Sequence, residues 1–210
     1  MHFHLVGSAR HAKAIEKLGL DGVIASGYEM GGHTHLPDKA IHTFILVPAV
    51  AQAVKIPVVA SGGICDGATF AASLALGAVG VQMGTRFIAT KECDFHENYK
   101  KAIVDAGEYS DIVVPSFISP ARCLKTAGAY RIIEAQKKVD KGELSDEEKQ
   151  KITDDAMRMA EEEGDIENGM TGAGQNSSRI NEIKSVQEVI SDITEDASRI
   201  ITDVSKLIVQ

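Results

Sequence analysis

Two short apolar runs, each ending in glycine, constrain the fold of this chain more than any other feature. The first is P-V-V-A-S-G-G-I at residues 57–64, and the second is A-V-G-V-Q-M-G-T-R-F at residues 78–87. Uncharged β-branched runs of this length predict strands buried on both faces, as in a parallel sheet. Glycine just past a strand lets backbone N–H groups approach an anion closely, because no Cβ intervenes. The pair therefore predicts a site for a phosphate-bearing ligand at the carboxyl ends of two strands.

Strand-like and helix-like patterns alternate along the first part of the chain, which predicts βα units. Strands are predicted at residues 3–6, 22–25, 57–60 and 78–83, with helices at residues 9–18, 43–54 and 67–76. Gly19 and Gly77 stand where helices end in a left-handed residue, and Asp66 is a predicted N-cap. This alternation predicts a parallel α/β architecture.

Beyond Thr85 the pattern becomes helical, and we predict no further buried strand. Helices are predicted at residues 98–106, 129–139, 146–163 and 185–207. Residues 142–164 are charged and poor in apolar side chains, which predicts a solvated helical excursion. The last helix is amphipathic and is predicted to pack on the core. Its apolar residues are Val186, Val189, Ile190, Ile193, Ile200 and Ile201.

The number of predicted strands determines the fold prediction. A closed (β/α)8 barrel needs eight strands, and its phosphate site follows strands seven and eight. Here the matching glycines follow the third and fourth predicted strands. The chain is therefore predicted to be α/β, the C-terminal half of a (β/α)8 TIM barrel with a helical C-terminal extension. We place four βα units in residues 1–90 and the mainly helical extension in residues 91–210.

Composition excludes several classes of function. The 210 residues carry 22 basic and 30 acidic side chains, and this net charge of −8 argues against a general nucleic-acid binder. No apolar run is long enough to cross a bilayer, and residues 1–7 lack the features of a signal peptide. The three cysteines, Cys65, Cys93 and Cys123, have no metal-type spacing. We therefore predict no metal site and a cytoplasmic protein.

Three ordered segments resemble the nitronate monooxygenase (2-nitropropane dioxygenase) family, which includes flavin-dependent enoyl-acyl-carrier-protein reductases. They are G-V-I-A-S-G-Y-E-M-G-G-H, P-V-V-A-S-G-G-I and A-L-G-A-V-G-V-Q-M-G-T-R-F-I-A-T-K-E. The later G-D-I-E-N-G-M-T-G-A-G-Q is similar to the family's C-terminal segment. The likeness covers nearly the whole chain but only the back part of a family member. Such members are FMN-binding barrels with about four more βα units before this point.

The resemblance implies an FMN cofactor. Its phosphate is predicted to bind the backbone at the two glycine sites, helped by the N-terminus of the helix that begins near residue 67. Ser26 stands where many relatives carry Gln or Glu. Gln82 is the polar residue on an apolar strand, and we predict that it faces the barrel interior near the cofactor. The predicted cofactor-binding residues are Ser26, Gly31, Gly32, Ser61, Gly62, Gly63, Gln82, Gly84 and Thr85.

His33 is the predicted catalytic residue. It follows two glycines in the loop after the second strand, on the face where barrels place catalytic groups. A neutral imidazole can take a proton from the carbon next to a nitro group, or donate one to a substrate carbonyl. The matching histidine of the family is its active-site histidine. Glu29 either orients His33 or the loop amides, or is a solvated or loop-capping carboxylate, and the sequence leaves these alternatives open.

Three neighbouring residues are given structural roles. Arg86 is predicted to pair with a helix carboxylate rather than a ligand. Cys65 is predicted to pack beside the phosphate loop, because nothing near it suggests an activated thiol. His35 is interpreted as a surface residue that varies within the family and has no role in the site.

The predicted function is that of an FMN-dependent oxidoreductase of the nitronate monooxygenase type, which oxidises alkyl nitronates with molecular oxygen. One alternative is an NAD(P)H-dependent flavin enoyl-thioester reductase. Another is a non-catalytic flavin- or phosphate-binding subunit, or a truncated barrel fragment that needs a partner. A phosphate-sugar barrel enzyme without flavin leaves the Gly-Gly-His segment unexplained. The predicted partners are a small-molecule substrate and either an N-terminal half-barrel chain or a second copy, with no nucleic acid and no membrane.

Overall fold

A computed structural model describes residues 1–116 and 119–207 of the chain. The strands are β1 (Phe3–Val6), β2 (Gly22–Ser26), β3 (Gly32–His33), β4 (Val58–Ser61), β5 (Gly80–Gln82), β6 (Asp111–Val114) and β7 (Ala121–Leu124). The α-helices are α1 (Ala9–Lys17), α2 (Thr43–Ala53), α3 (Gly67–Ala75), α4 (Thr85–Ile88), α5 (Glu97–Val104), α6 (Ala127–Asp140), α7 (Asp146–Arg158) and α8 (Val186–Ser205). Short 3-10 helices lie at Pro37–Lys39 and Gln175–Arg179, and a π-helix lies at Met159–Glu163.

The four predicted βα strands form one parallel sheet in the order β1-β2-β4-β5. The local signals in the sequence explain the helix boundaries. Gly19 and Gly77 have φ values of 79° and 99°, as the residues that end α1 and α3. The Asp66 carboxylate accepts from the backbone N–H of Thr69, which caps the start of α3.

One face of this sheet is buried and the other is partly open. Val23, Ala25, Val58 and Ala60 are buried in a core that includes side chains of α1 and α2. On the opposite face, Leu5 is 49% exposed, and its neighbours in register on β2 and β4 are half-buried. The prediction that these strands are buried on both faces is therefore wrong for the described residues.

The chain divides into two compact units, each built from separated stretches of sequence. The first comprises Met1–Glu29, Asp38–Met83 and the described residues from Lys184 onward. The second comprises Met30–Pro37 and Gly84–Ile183, apart from residues 117 and 118. The parallel sheet belongs to the first unit.

Helix α8 completes the first unit by packing on α3. Its buried residues Val189, Ile193 and Ala197 recur every four positions and so form one stripe of the helix. Helices α3 and α8 approach each other closely at Gly67, because a Cβ on this glycine would lie 2.4 Å from Cβ of Asp196. The predicted packing of the last helix is confirmed for this stripe, whereas Ile190 and Ile201 are 50% and 46% exposed.

The second unit contains an antiparallel sheet in the order β3-β7-β6. The prediction of no further strand after Thr85 is wrong, because β6 and β7 lie there. Val114, Ala121 and Cys123 of this sheet are buried in a second core. The opposite face carries Asp111 and Arg122, whose charges disguise the strand pattern in the sequence.

The prediction of a solvated excursion at residues 142–164 is also wrong, because α7 packs on α6. Ala156 is 2% exposed within the second core, and Ile152 packs against the same cluster. Lys149 is buried as well, and its Nζ donates to Oε1 of Gln136 at 2.6 Å. A face that buries lysine and threonine looks polar in sequence, which is why the pattern is misleading.

None of the helices in the described residues is both long and apolar enough to cross a membrane.

Candidate functional site

Three of the predicted site residues form one row at the carboxyl end of the parallel sheet. Ser26 of β2 is in register with Ser61 of β4, and Ser61 is in register with Gln82 of β5. Residues in register on neighbouring parallel strands point to the same face. Ser26 is buried, Ser61 is half-buried and Gln82 is exposed. The loops after β4 and β5 therefore leave the sheet at the same edge.

Both glycines after β4 are required by the backbone conformation. Gly62 has a φ of 93°, and a Cβ there would lie 2.6 Å from the carbonyl oxygen of Gly27. Gly63 has a φ of 76°, and a Cβ there would lie 3.2 Å from Cβ of Glu29. Left-handed φ values and close approaches of this kind favour glycine whether or not a ligand is bound.

Gly84, after β5, is different. Its φ of −101° suits any residue, and a Cβ built on it meets nothing within 4 Å. Neither conformation nor packing of the described residues requires glycine at this position. The space beside its backbone is open, which is the condition for an anion to approach the N–H groups closely. The backbone at Gly84 therefore leaves room for a phosphate group.

Glu29 caps α2. Its Oε2 accepts from the backbone N–H of Thr43 at 3.0 Å, and Oγ1 of Thr43 lies 2.8 Å away. His42, the N-cap residue, makes no side-chain capping bond, but its Nδ1 lies 3.3 Å from Oε1 of Glu29. Among the alternatives from the sequence, the structure supports the capping carboxylate.

The same threonine ties the cap to the glycine loop. Oγ1 of Thr43 lies 2.8 Å from the carbonyl oxygen of Gly62, as well as from the carboxylate of Glu29. A Cβ on Gly27 would lie 2.0 Å from this hydroxyl, so Gly27 is needed to make room for it. The Glu29–Thr43–Gly62 contacts therefore hold the loop after β4, and sequence reasoning missed Thr43 and Gly27.

In the second unit, His33 lies on a paired strand rather than in a loop. Gly32 and His33 of β3 are in register with Arg122 and Ala121 of β7, and Thr34 N–H donates to the carbonyl of Pro120 at 2.7 Å. The His33 side chain is exposed. Gly32 has a φ of 67°, so it supplies the left-handed turn that leads into the histidine.

The backbone of Gly174 brings two of the predicted residues together. A Cβ on Gly31 would lie 2.4 Å from the Gly174 nitrogen, so only glycine allows this approach. The Gly174 N–H donates to Oγ1 of Thr85 at 3.0 Å, and Thr85 is buried. Gly174 belongs to the G-A-G-Q segment, whose likeness to the family was the only signal for it. Sequence reasoning gave it no place in the site.

Arg86 and Cys65 have structural surroundings. Nη2 of Arg86 donates to the backbone carbonyls of Ala89 and Glu182, at 2.6 and 2.8 Å. These contacts support the predicted structural role of Arg86. Cys65 is 4% exposed, as predicted for a packing residue.

Two buried groups near β7 have pKa values shifted upward. Burial, and then the Asp111 charge, raises the pKa of the Cys123 thiol to about 12. Burial also raises the pKa of Tyr99, whose hydroxyl donates to the Gly172 carbonyl at 3.0 Å. Both side chains are therefore neutral packing groups near pH 7. The described residues contain no group of three or more His, Cys, Asp or Glu side chains placed to hold a metal ion.

Comparison with known proteins extends this picture. The family model described as nitronate monooxygenase matches residues 1–196. The chain belongs to the nitronate monooxygenase family. The family consists of flavin oxidoreductases, and the predicted resemblance is confirmed.

Curated relatives match part of the chain. A "(3aS,4S,5R,7aS)-5-hydroxy-7a-methyl-1-oxo-octahydro-1H-indene-4-carboxyl-CoA dehydrogenase" of Rhodococcus jostii is 46% identical over 102 residues, which cover 49% of this chain and 28% of the relative. A "Probable nitronate monooxygenase" of Staphylococcus saprophyticus is 40% identical over 145 residues, or 63% of this chain and 41% of the relative. The matches thus span less than half of either relative.

A solved structure confirms the predicted fold class. FabK from Thermotoga maritima superposes with a TM-score of 0.88 and 38% identity, covering 98% of this chain and 63% of that chain. The chain is α/β and corresponds to the C-terminal part of a TIM-barrel enzyme.

Proposed function

We propose that this chain carries the phosphate-binding and proton-transfer residues of an FMN-dependent oxidoreductase of the nitronate monooxygenase type, which oxidises alkyl nitronates with molecular oxygen. The family membership supports a flavin oxidoreductase. Because the chain corresponds to only part of its relatives, the full activity is assigned to the completed barrel.

The observation that carries the proposal is the open space at Gly84. Gly84 follows β5, next to the strand that leads into the Gly62–Gly63 loop. In this proposal the phosphate-binding backbone of the first unit is that of Ser61, Gly62 and Gly63, and that of the second unit belongs to Gly84 and Thr85. Ser26 and Gln82 lie in the row of side chains at the edge of the parallel sheet and would face the flavin. In the second unit, Gly31 and Gly32 lead into His33.

In the second unit, His33 moves the proton. Its exposed imidazole takes a proton from the carbon next to the nitro group of a neutral nitroalkane, which leaves the alkyl nitronate that is then oxidised. Gly32 and the pairing with β7 hold the backbone of His33. Bound FMN supplies the electron transfer and oxygen chemistry. The protein's own residues bind the phosphate, orient the histidine and transfer the proton.

Gly84→Leu tests the phosphate site with little risk to folding. A leucine would fill the open space without a left-handed φ or a backbone clash, so the chain should fold and lose FMN. Gly107→Leu is the matched control, because Gly107 is an exposed glycine at which a Cβ would meet no atom closer than 3.9 Å. Flavin absorbance is measured with and without an N-terminal half-barrel. Undiminished FMN in folded Gly84→Leu would contradict the assignment.

His33→Ala tests the proton-transfer role. Turnover of a neutral nitroalkane should fall by about 10²- to 10⁴-fold while FMN content stays near that of the unchanged chain. His35→Ala is the control, since His35 is a half-buried histidine two positions further along the same segment. Loss of FMN would make His33 a binding residue, and unchanged turnover would refute its role in catalysis.

The second candidate is an NAD(P)H-dependent flavin enoyl-thioester reductase. The superposition on FabK, with a TM-score of 0.88, is the observation that favours it. Oxygen consumption with an alkyl nitronate and NAD(P)H oxidation with an enoyl thioester distinguish the two activities. A preparation that binds FMN and does neither, with an N-terminal half present, would favour the non-catalytic flavin-binding subunit.

A further inference from the structure

A largely buried ion pair lies in the second unit, apart from the residues proposed for phosphate binding and proton transfer. It joins Arg122 of β7 to Asp111 of β6, with Nη1 of Arg122 donating to Oδ2 of Asp111. The Arg122 side chain is 3% exposed and that of Asp111 is 14% exposed. The two residues lie on one face of the sheet, because Arg122 is in register with Val113, two residues from Asp111.

The same guanidinium reaches the segment that carries the histidine. Nε of Arg122 donates to the backbone carbonyl of Met30 at 3.1 Å. The backbone of Arg122 is also in register with Gly32. Arg122 thus bonds to Met30 and is in register with Gly32. These two residues flank Gly31 and lie three positions and one position before His33.

Stability is a weak reason for such a pair. Replacing a buried ion pair by apolar residues of similar size is often neutral or stabilising, whereas removing one partner leaves an uncompensated charge. The guanidinium, however, is planar and directs its donors along fixed lines. With one edge held by Asp111, the Nε–H of Arg122 has a defined direction toward the Met30 carbonyl.

We propose that Arg122 is a positioning residue for His33, with Asp111 fixing the guanidinium. The pair sets the path of residues 30–33 and so the place from which the imidazole approaches the substrate. This inference rests on the proposed proton-transfer role of His33. A misplacement of about 1 Å can lower a rate by about 10²-fold.

The decisive variant replaces both charges at once, as Arg122→Met with Asp111→Leu. No unpaired charge remains, so the chain should fold with nearly unchanged urea midpoint. The carbonyl of Met30 loses the hydrogen bond from Arg122, and we expect faster hydrogen exchange at the Thr34 amide, which donates to the Pro120 carbonyl. In the FMN-loaded, completed barrel kcat should fall about 10- to 100-fold, with KM and FMN content held.

Arg131→Lys is the matched control, because Arg131 is an exposed arginine of the same unit that contacts Asn168. It should change neither exchange at Thr34 nor kcat. Two outcomes of the double variant would overturn the inference. One is unchanged exchange at Thr34, and the other is a fall in activity that only follows loss of folded protein. If His33→Ala keeps full turnover while Thr34 exchange rises in the double variant, the proposed function is refuted. The inference that Arg122 positions β3 is then still supported.

Discussion

Alanine at position 31 is expected to force apart two backbone segments that glycine allows to touch. A Cβ on Gly31 would lie 2.4 Å from the nitrogen of Gly174 and 2.5 Å from the carbonyl carbon of Ala173. Non-bonded heavy atoms normally stay about 3.5 Å apart, so one segment has to move by about 1 Å. Both partners are main chain, and no change of side-chain rotamer can relieve the contact.

The neighbouring Gly32 provides an internal comparison. Its φ is 67° but a Cβ meets nothing within 4 Å. Alanine there would have to adopt an unfavourable φ, but it would clash with no atom. An alanine with a left-handed φ costs about 1–2 kcal/mol. Alanine also restricts the unfolded chain more than glycine does, which offsets this cost by about 0.4–1 kcal/mol. For Gly31→Ala we expect about 2–3 kcal/mol, the upper range for overpacking a site that cannot relax.

Urea unfolding of the two variants, followed by circular dichroism, gives the difference directly. Gly31→Ala should also speed hydrogen exchange at the Gly174 amide, whose bond to Thr85 depends on the same contact. Gly32→Ala should leave that amide protected. A Gly31→Ala chain as stable as Gly32→Ala, with Gly174 still protected, would refute the argument that close approach requires this glycine.

Three further predictions concern capping, pH and association. Glu29→Ala should remove the cap of α2 and lower the free energy of unfolding by about 1 kcal/mol in urea titrations, whereas no change would mean that water replaces the carboxylate. The raised pKa of Cys123, about 12, means that the native state holds this proton more tightly than the unfolded state. The stability that this shift contributes is present below about pH 9 and is lost as the pH rises toward 12. The urea midpoint of the unchanged chain should therefore fall between about pH 8 and about pH 11, and the midpoint of Cys123→Ala should fall less over the same range. The half-open sheet face around Leu5 and the edge strands β1 and β5 should make the chain associate at micromolar concentration, and light scattering that finds a stable monomer would contradict this.

The parallel sheet could be predicted because its signals are local. β-branched runs, helix-ending glycines and the Asp66 cap each act within a few residues, and the four strands and their helices lie where these signals place them. The glycine positions of the candidate site were visible for the same reason. The sequence does not distinguish a glycine required by φ, such as Gly62, from one left open, such as Gly84, because that depends on what lies opposite in space.

The antiparallel sheet could not be predicted because its determinants are distant in sequence. Charged residues such as Asp111 and Arg122 are compatible with buried strands only when the two side chains form an ion pair. β3 is two residues long and exists through its pairing with β7, so G-G-H alone gives no strand signal. Gly174 reaches Thr85 across 89 positions of sequence, and the hydrogen bond between them is likewise invisible to local patterns.

The contact between α3 and α8 has a consequence for the order in which the chain is made. Roughly 110 residues separate the end of α3 from the start of α8, so a ribosome adds them over about 5–20 s. During that interval the surface of α3 around Gly67 has no α8 to cover it, although the parallel strands have already emerged. The first unit therefore closes only after nearly all of the second has been synthesised.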